Sequence, residues 1–239
     1  GFIFAGATTS SGAGNFDAHL LKSDASGNIQ WSKTYGGFSN ASYQSIVELS
    51  GGGYAVTGYT QSFGAGTNDF VLSKTDASGN IFWTKTYGGG NSDVGDHLIK
   101  TSDGGYAFMG TTTSFGAGNL DVMLTKTDNA GNMQWSEVYG GAGVEIARSL
   151  DEMNSGGYHI CGFTNSFGAG GFDIYSIRTN ASGMSGCNET SANPTVTSPT
   201  LASSNFTPNA NVGGIEGTPP TQTGAVSFVT NTLCPSSLR

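Results

Sequence analysis

One pattern recurs four times in this 239-residue chain at a spacing of 52 residues, with no insertion or deletion. Phe2, Tyr54, Tyr106 and Tyr158 open it, and Gly6, Gly58, Gly110 and Gly162 follow. Thr8, Thr60, Thr112 and Thr164 come next, then Asp17, Asp69, Asp121 and Asp173. A fixed period of this length requires each unit to bury its faces against its neighbours, so the chain must build a repeat architecture. A residue present in every copy is there first to build the unit. Fold is therefore easier to read from this chain than function.

Composition agrees with many short strands and tight turns. There are 39 glycines and only 11% charged residues, so hydroxyls and amides carry much of the contact with water. Aromatic residues at 11% argue for a packed core rather than disorder. The net charge of −8 argues against an electrostatic grip on nucleic acid or an anionic membrane. No apolar run approaches the roughly 20 residues a membrane helix needs, and the opening residues do not read as a signal peptide. The chain opens inside the repeat at Gly1-Phe2-Ile3, which reads as a mature product or a piece of a longer polypeptide with further repeats upstream.

The second copy shows the layout. Tyr54 to Thr60, Asp69 to Thr75, Asn80 to Tyr87 and His97 to Thr101 read as four strands. A Gly-rich loop separates the first pair, and Asp76-Ala77-Ser78-Gly79-Asn80 is a hairpin turn with Gly where a positive φ is wanted. The second strand is apolar on both faces, with Ala18, Phe70, Val122 and Ile174 on one and His19, Val71, Met123 and Tyr175 on the other. Such a strand lies between neighbouring sheets. Four strands, two covered faces and this period predict an all-β fold, a β-propeller with blades at about 1–51, 52–103 and 104–155 and a partial fourth at 156–186. A β-solenoid ranks second because its repeats are shorter. Trp31, Trp83 and Trp135 mark the third strand of each full blade, and Cys187 stands where the fourth Trp is due. The Ser/Thr/Pro-rich tail at 187–239 is expected to complete the last blade or to dock on a partner, and Ala225 to Thr230 could add a strand.

The candidate chemistry is sparse. Cys187 and Cys234 bracket the tail as a natural disulfide pair, which implies an oxidising compartment, whereas Cys161 reads as a buried free thiol. The recurring Asp17, Asp69, Asp121 and Asp173 suggest either a carboxylate ring or structural caps on the Gly-rich loops; repetition favours the caps. The D-A-S-G-N turns lack the spacing and distal Glu of a calcium loop, so no metal or cofactor is expected. His19, His97 and His159 fall at different places in the period. Phe63, Phe115 and Phe167, one in each of three Gly-rich loops, form either an aromatic rim suited to stacking on sugars or satellite core. Glu145, Asp151 and Glu152 are acids of a single copy, and no nucleophile elbow or recurring acid/base pair points to an enzyme.

The stretch GGYAVTGYTQSFGAGTNDFVLSKTDASGNIFWTKTYGG at 52–89, matched by copies one and three, resembles the β-propeller repeats of large secreted and surface proteins of bacteria that use the type IX secretion pathway. The tail from Gly186-Cys187-Asn188 also resembles segments that follow such repeats, ahead of a C-terminal sorting domain. The resemblance implies an extracellular or cell-surface protein and transfers no catalytic residues. The expected function is a non-catalytic scaffold or protein-interaction module with a protein or cell-surface partner. The alternative is a lectin-like glycan-binding module using the Phe rim, and a polysaccharide-acting enzyme stands a distant third.

Overall fold

A computed structural model describes residues 1–206 of the chain. These residues are all-β: seventeen strands, no helix, and antiparallel pairing between every pair of strands. Sheet one joins β1 (Phe2–Thr8), β2 (Asp17–Ser23) and β3 (Ile29–Gly36). Sheet two joins β4 (Ala41–Glu48), β5 (Tyr54–Thr60), β6 (Asp69–Thr75) and β7 (Ile81–Gly88). Sheet three joins β8 (Asp93–Lys100), β9 (Tyr106–Thr112), β10 (Asp121–Thr127) and β11 (Met133–Tyr139). Sheet four holds β12 (Glu145–Glu152), β13 (Tyr158–Thr164) and β14 (Asp173–Arg178).

The sheets are out of phase with the sequence period. The strand read from sequence as the last of one unit, His97 to Thr101, starts earlier, at Asp93, and belongs to the next sheet as β8. Turn chemistry gives the reason. Thr101 N–H donates to Gly105 O at 3.0 Å across a short Gly-Gly turn, so β8 and β9 must fold back as antiparallel neighbours. The same closure joins β4 to β5 and β12 to β13, where Leu49 and Met153 donate to Gly53 and Gly157.

Each sheet has a front that faces the preceding sheet and a back that faces the following one. The alternation of β6 follows directly: Val71 joins the core with sheet one, and Phe70 and Leu72 join the core with sheet three. Three inter-sheet cores result. The first gathers Leu20, Tyr35, Tyr43, Tyr54, Val56 and Val71. In the second, Phe70, Leu72 and Tyr87 meet Tyr106, Phe108 and Met123. The third sets Val122, Leu124 and Tyr139 against Tyr158, Ile160 and Tyr175.

The third strand of each sheet locks the next unit in place. Tyr35, Tyr87 and Tyr139 are fully buried and donate their hydroxyls to the carbonyls of Gly79, Gly131 and Gly183 at 2.7, 2.6 and 2.5 Å. Those glycines sit in the hairpin turn of the following sheet. At Gly131 φ is +74°, and an added Cβ would meet the Trp83 ring at 2.9 Å, so both conformation and space demand glycine. The Trp31, Trp83 and Trp135 rings pack against these cores but are half-buried.

Among the described residues the tail adds no strand to sheet four. Within the described residues it runs back along the stack, adding β15 (Glu189–Ser191) to β11, β16 (Thr195–Thr197) to β7 and β17 (Ala202–Asn205) to β3. It therefore covers the outer edge of sheets three, two and one in turn, edges that would otherwise show unpaired N–H and C=O groups. The chain leaves sheet four at Ser185–Cys187, whose N–H groups all donate to the Glu189 carboxylate. Gly186 and Asn188 adopt positive φ of 82° and 56° there. This tight turn replaces the third strand that a Trp would have anchored. Ala225 to Thr230 and Cys234 lie outside the described residues, and the expected Cys187–Cys234 pair with them.

Among the described residues no sheet closes on itself, and no further strand covers either end of the stack. On the front of sheet one Phe2 and Phe4 are 57% and 54% exposed, and on the back of sheet four Ile174 is 71% exposed.

Two substitutions measure the lock between sheets. Tyr87→Phe removes one buried hydrogen bond and should lower unfolding free energy by about 1–2 kcal/mol in denaturant titration. Trp83→Ala should cost about 2–4 kcal/mol, below the full core value, because the ring is half-buried.

Candidate functional site

The recurring aspartates are loop caps. Asp69 Oδ1 and Oδ2 accept the N–H groups of Ala65 and Gly66 at 3.1 and 3.0 Å, and Asp17, Asp121 and Asp173 accept from Gly14, Gly118 and Ala169 in the same way. A second carboxylate joins two of these places; sequence reading named Glu145 as an acid of a single copy and missed its counterpart Asp93. Asp93 and Glu145 open β8 and β12, 52 residues apart, and are fully buried. Asp93 accepts from Gly89 N–H at 2.8 Å and Thr112 Oγ1 at 2.5 Å. Glu145 accepts from Gly141 N–H at 2.9 Å and Thr164 Oγ1 at 2.5 Å. Ala41 holds the equivalent position in the first copy, so the acid repeats only twice and gave a weak signal.

Asp69 with Asp93, and Asp121 with Glu145, make two buried acid pairs. A Cβ on Gly140 would meet Asp121 Oδ1 at 1.8 Å and Glu145 Oε2 at 2.6 Å, so only glycine lets the two carboxyls approach. Burial raises the pKa of both Asp69 and Asp121, loop N–H bonds oppose the rise, and the neighbouring acid adds to it. Raised acids in pairs are what general acid/base chemistry needs. Here, however, the oxygens are taken up by backbone N–H and hydroxyl donors, Asp121 Oδ1 alone being unpartnered. The arrangement builds the turn from strand to strand.

The other sequence candidates are scattered. Phe63, Phe115 and Phe167 are half-buried. Phe115 and Phe167 pack on the second and third cores, and Phe167 lies 5.8 Å from the Tyr175 ring. Asp76 and Asp128 accept the N–H groups two and four residues on, so the D-x-x-G-N turns are self-bonded Asx turns. Glu145 and Glu152 sit at opposite ends of β12, and Glu152 accepts from Ser102. Among the described residues no three His, Cys, Asp or Glu side chains gather as a metal ligand set. Cys161 is a free thiol but is half-buried rather than buried. No following sheet covers it, and it lies 3.5 Å from His159 Nε2 on the open back of sheet four.

What remains as a candidate interface is the front of sheet one. Phe2, Phe4 and Leu21 there take the places of Tyr54, Val56 and Ser73 of sheet two by the period of 52. Nothing lies within 4 Å of a Cβ built on Gly27, whereas at Gly79 and Gly131 the preceding Trp fills that space. The inner edge of β1 is also unpaired among the described residues, while β5, β9 and β13 each have an inner neighbour. Sequence comparison adds no identity: no family model matches this chain, and neither does any curated protein.

The acid pair makes a prediction with a definite sign. Asp121 binds its proton more tightly folded than unfolded, so its contribution to stability falls as pH rises above 3.8 toward the folded value. Asp121→Asn keeps an acceptor for Gly118 N–H and removes the charge. It should raise Tm by about 2–4 °C at pH 7 and give no gain below pH 3.8 in thermal scans.

Proposed function

We propose that this chain is a non-catalytic β-propeller-type scaffold of an exported bacterial surface protein, and that it engages a protein partner through the front of sheet one. The observation that carries the reading is the empty Trp–Tyr socket. Three times within the chain a strand of the form W-x-x-x-Y covers the front of the following sheet and its Gly turn: Trp31 with Tyr35, Trp83 with Tyr87, Trp135 with Tyr139. Among the described residues the front of sheet one offers the same surface with no such strand on it, Phe206 alone reaching it edge-on against His19 at 5.6 Å, and the free inner edge of β1 offers backbone pairing beside it. Face and edge are both complemented by one occupant, a further unit of the same repeat. A second copy of this chain does not supply it, because its own three Trp–Tyr pairs are buried inside and sheet four has Cys187 at the Trp position. The extracellular setting rests on the resemblance of the repeat and on the Cys187–Cys234 pairing expected from sequence.

A peptide with the sequence of residues 29–48 carries both the Trp–Tyr strand and the strand that follows it. Titrated into the isotope-labelled chain, it should shift the amides of residues 2–8 and of the turn at 24–28. Replacing its Trp and Tyr by Ala should weaken binding at least about tenfold, since a buried aromatic anchor is worth more than 1.4 kcal/mol. Undisturbed amides in those two segments, or shifts confined to β14, would sink the reading.

A further inference from the structure

A cavity of about 280 Å³ opens beside the boundary of sheets two and three, lined by Leu49, Ser50, Gly51, Lys74, Lys100 and Tyr106, with Asn129 at its side. The repeat supplies an internal comparison for this place. By the period of 52, Lys74, Lys100 and Tyr106 correspond to Lys22, Glu48 and Tyr54 before them and to Lys126, Glu152 and Tyr158 after them. In both neighbours the lysine has an acid at hand. Lys22 lies over the Tyr54 ring at 5.4 Å with the Glu48 charge acting on it. Lys126 pairs with Asp103 at 2.8 Å, and the Glu152 carboxylate accepts from Ser102 N–H and Oγ at 2.7 and 2.8 Å.

The middle place has lost every one of these acids. Gly51 replaces Asp103, and Lys100 replaces Glu48 and Glu152. Two ammonium groups therefore border one cavity, and neither forms an ion pair among the described residues. Lys74 Nζ donates to Asn129 Oδ1 at 2.8 Å, an amide that also accepts from Tyr106 OH at 3.2 Å. Asn129 stands where the other copies have Ala25, Ala77 and Ala181. Lys100 Nζ reaches only Ser50 Oγ, at 3.4 Å. Ser50 is the counterpart of Ser102, whose N–H and hydroxyl hold a carboxylate one repeat later. Lys74 is half-buried and Lys100 exposed, so an anion entering between them meets two ammonium groups without displacing a carboxylate.

We propose that this cavity binds the carboxylate of an acidic saccharide. The ligand's carboxylate takes the part that Glu152 plays at the next boundary, accepting from Ser50 and bridging Lys74 and Lys100. Asn129, Ser50 and the backbone of Gly51 and Gly52 offer hydrogen bonds to sugar hydroxyls, and Leu49 with Tyr106 gives an apolar floor.

Glucuronate is the probe, titrated into the full isotope-labelled chain with glucose and sulfate as controls. Glucuronate should shift the amides of Ser50, Gly51, Gly52 and Gly104 saturably, glucose should not, and sulfate should bind at least about fivefold more weakly. Lys100→Glu rebuilds the Lys–Glu–Tyr set of the neighbouring copies, so it should keep Tm at or above the parent value and lose at least about tenfold in affinity. Lys74→Gln gives a second variant with the same expected loss and no new charge. Absence of saturable shifts, equal binding of sulfate, or unchanged affinity in both variants would each overturn the proposal. Failure of the Trp–Tyr peptide to bind sheet one leaves this result unaffected, since the two surfaces share no residue.

Discussion

Everything in this stack depends on one contact made three times: a tyrosine on the third strand of a sheet reaching the carbonyl of a glycine in the next sheet's turn. Tyr35, Tyr87 and Tyr139 each bury a ring and satisfy their hydroxyl in one stroke. A buried phenol without a partner would cost free energy, so the hydrogen bond fixes the distance between sheets as well as stabilising it. The neighbouring Trp covers the same turn and excludes a side chain there. The D-x-x-G-N turn is held in shape by its own Asp, and it thus serves as a rigid socket rather than a flexible connection.

Two further devices follow from stacking sheets this way. Short Gly-Gly turns put the closing strand of each period at the head of the next sheet, so the covalent chain staples adjacent sheets together. The tail then returns across the opposite edges, and its three short strands tie sheets three, two and one from outside. A stack of modules that touch only their neighbours gains cooperativity from such ties, since fraying of one sheet must break contacts in another.

Repetition also turns the chain into its own control. Where all copies agree, the residue builds the sheet, as with Asp69 and its equivalents. Where one copy departs, the departure has local consequences. Cys187 stands where a third strand would carry its Trp, and sheet four has only three strands. Lys100 in place of Glu leaves a cavity bordered by two lysines with no ion pair among the described residues. The two ends of the stack and the altered boundary are thus the places where, among the described residues, the repeat has stopped satisfying itself.

Much of this was legible in the sequence, because period, alternation and turn glycines are local properties. The limits of β5 and β6 match the residues where apolar alternation begins and stops. The Asp caps and Asx turns could be argued from spacing alone. Tertiary structure decided what depends on partners far along the chain. Which sheet β8 joins is set by a choice between two connections, and the tail's strands carry no apolar pattern of their own, only edges to cover. The acid pairs emerge only when Asp121 and Glu145, on different sheets, converge over Gly140. Half-burial of the Trp rings, the openness of both ends and the cavity between Lys74 and Lys100 likewise arise from how sheets meet. A sequence period specifies each unit; the surfaces left uncovered are fixed only when the units are set against one another.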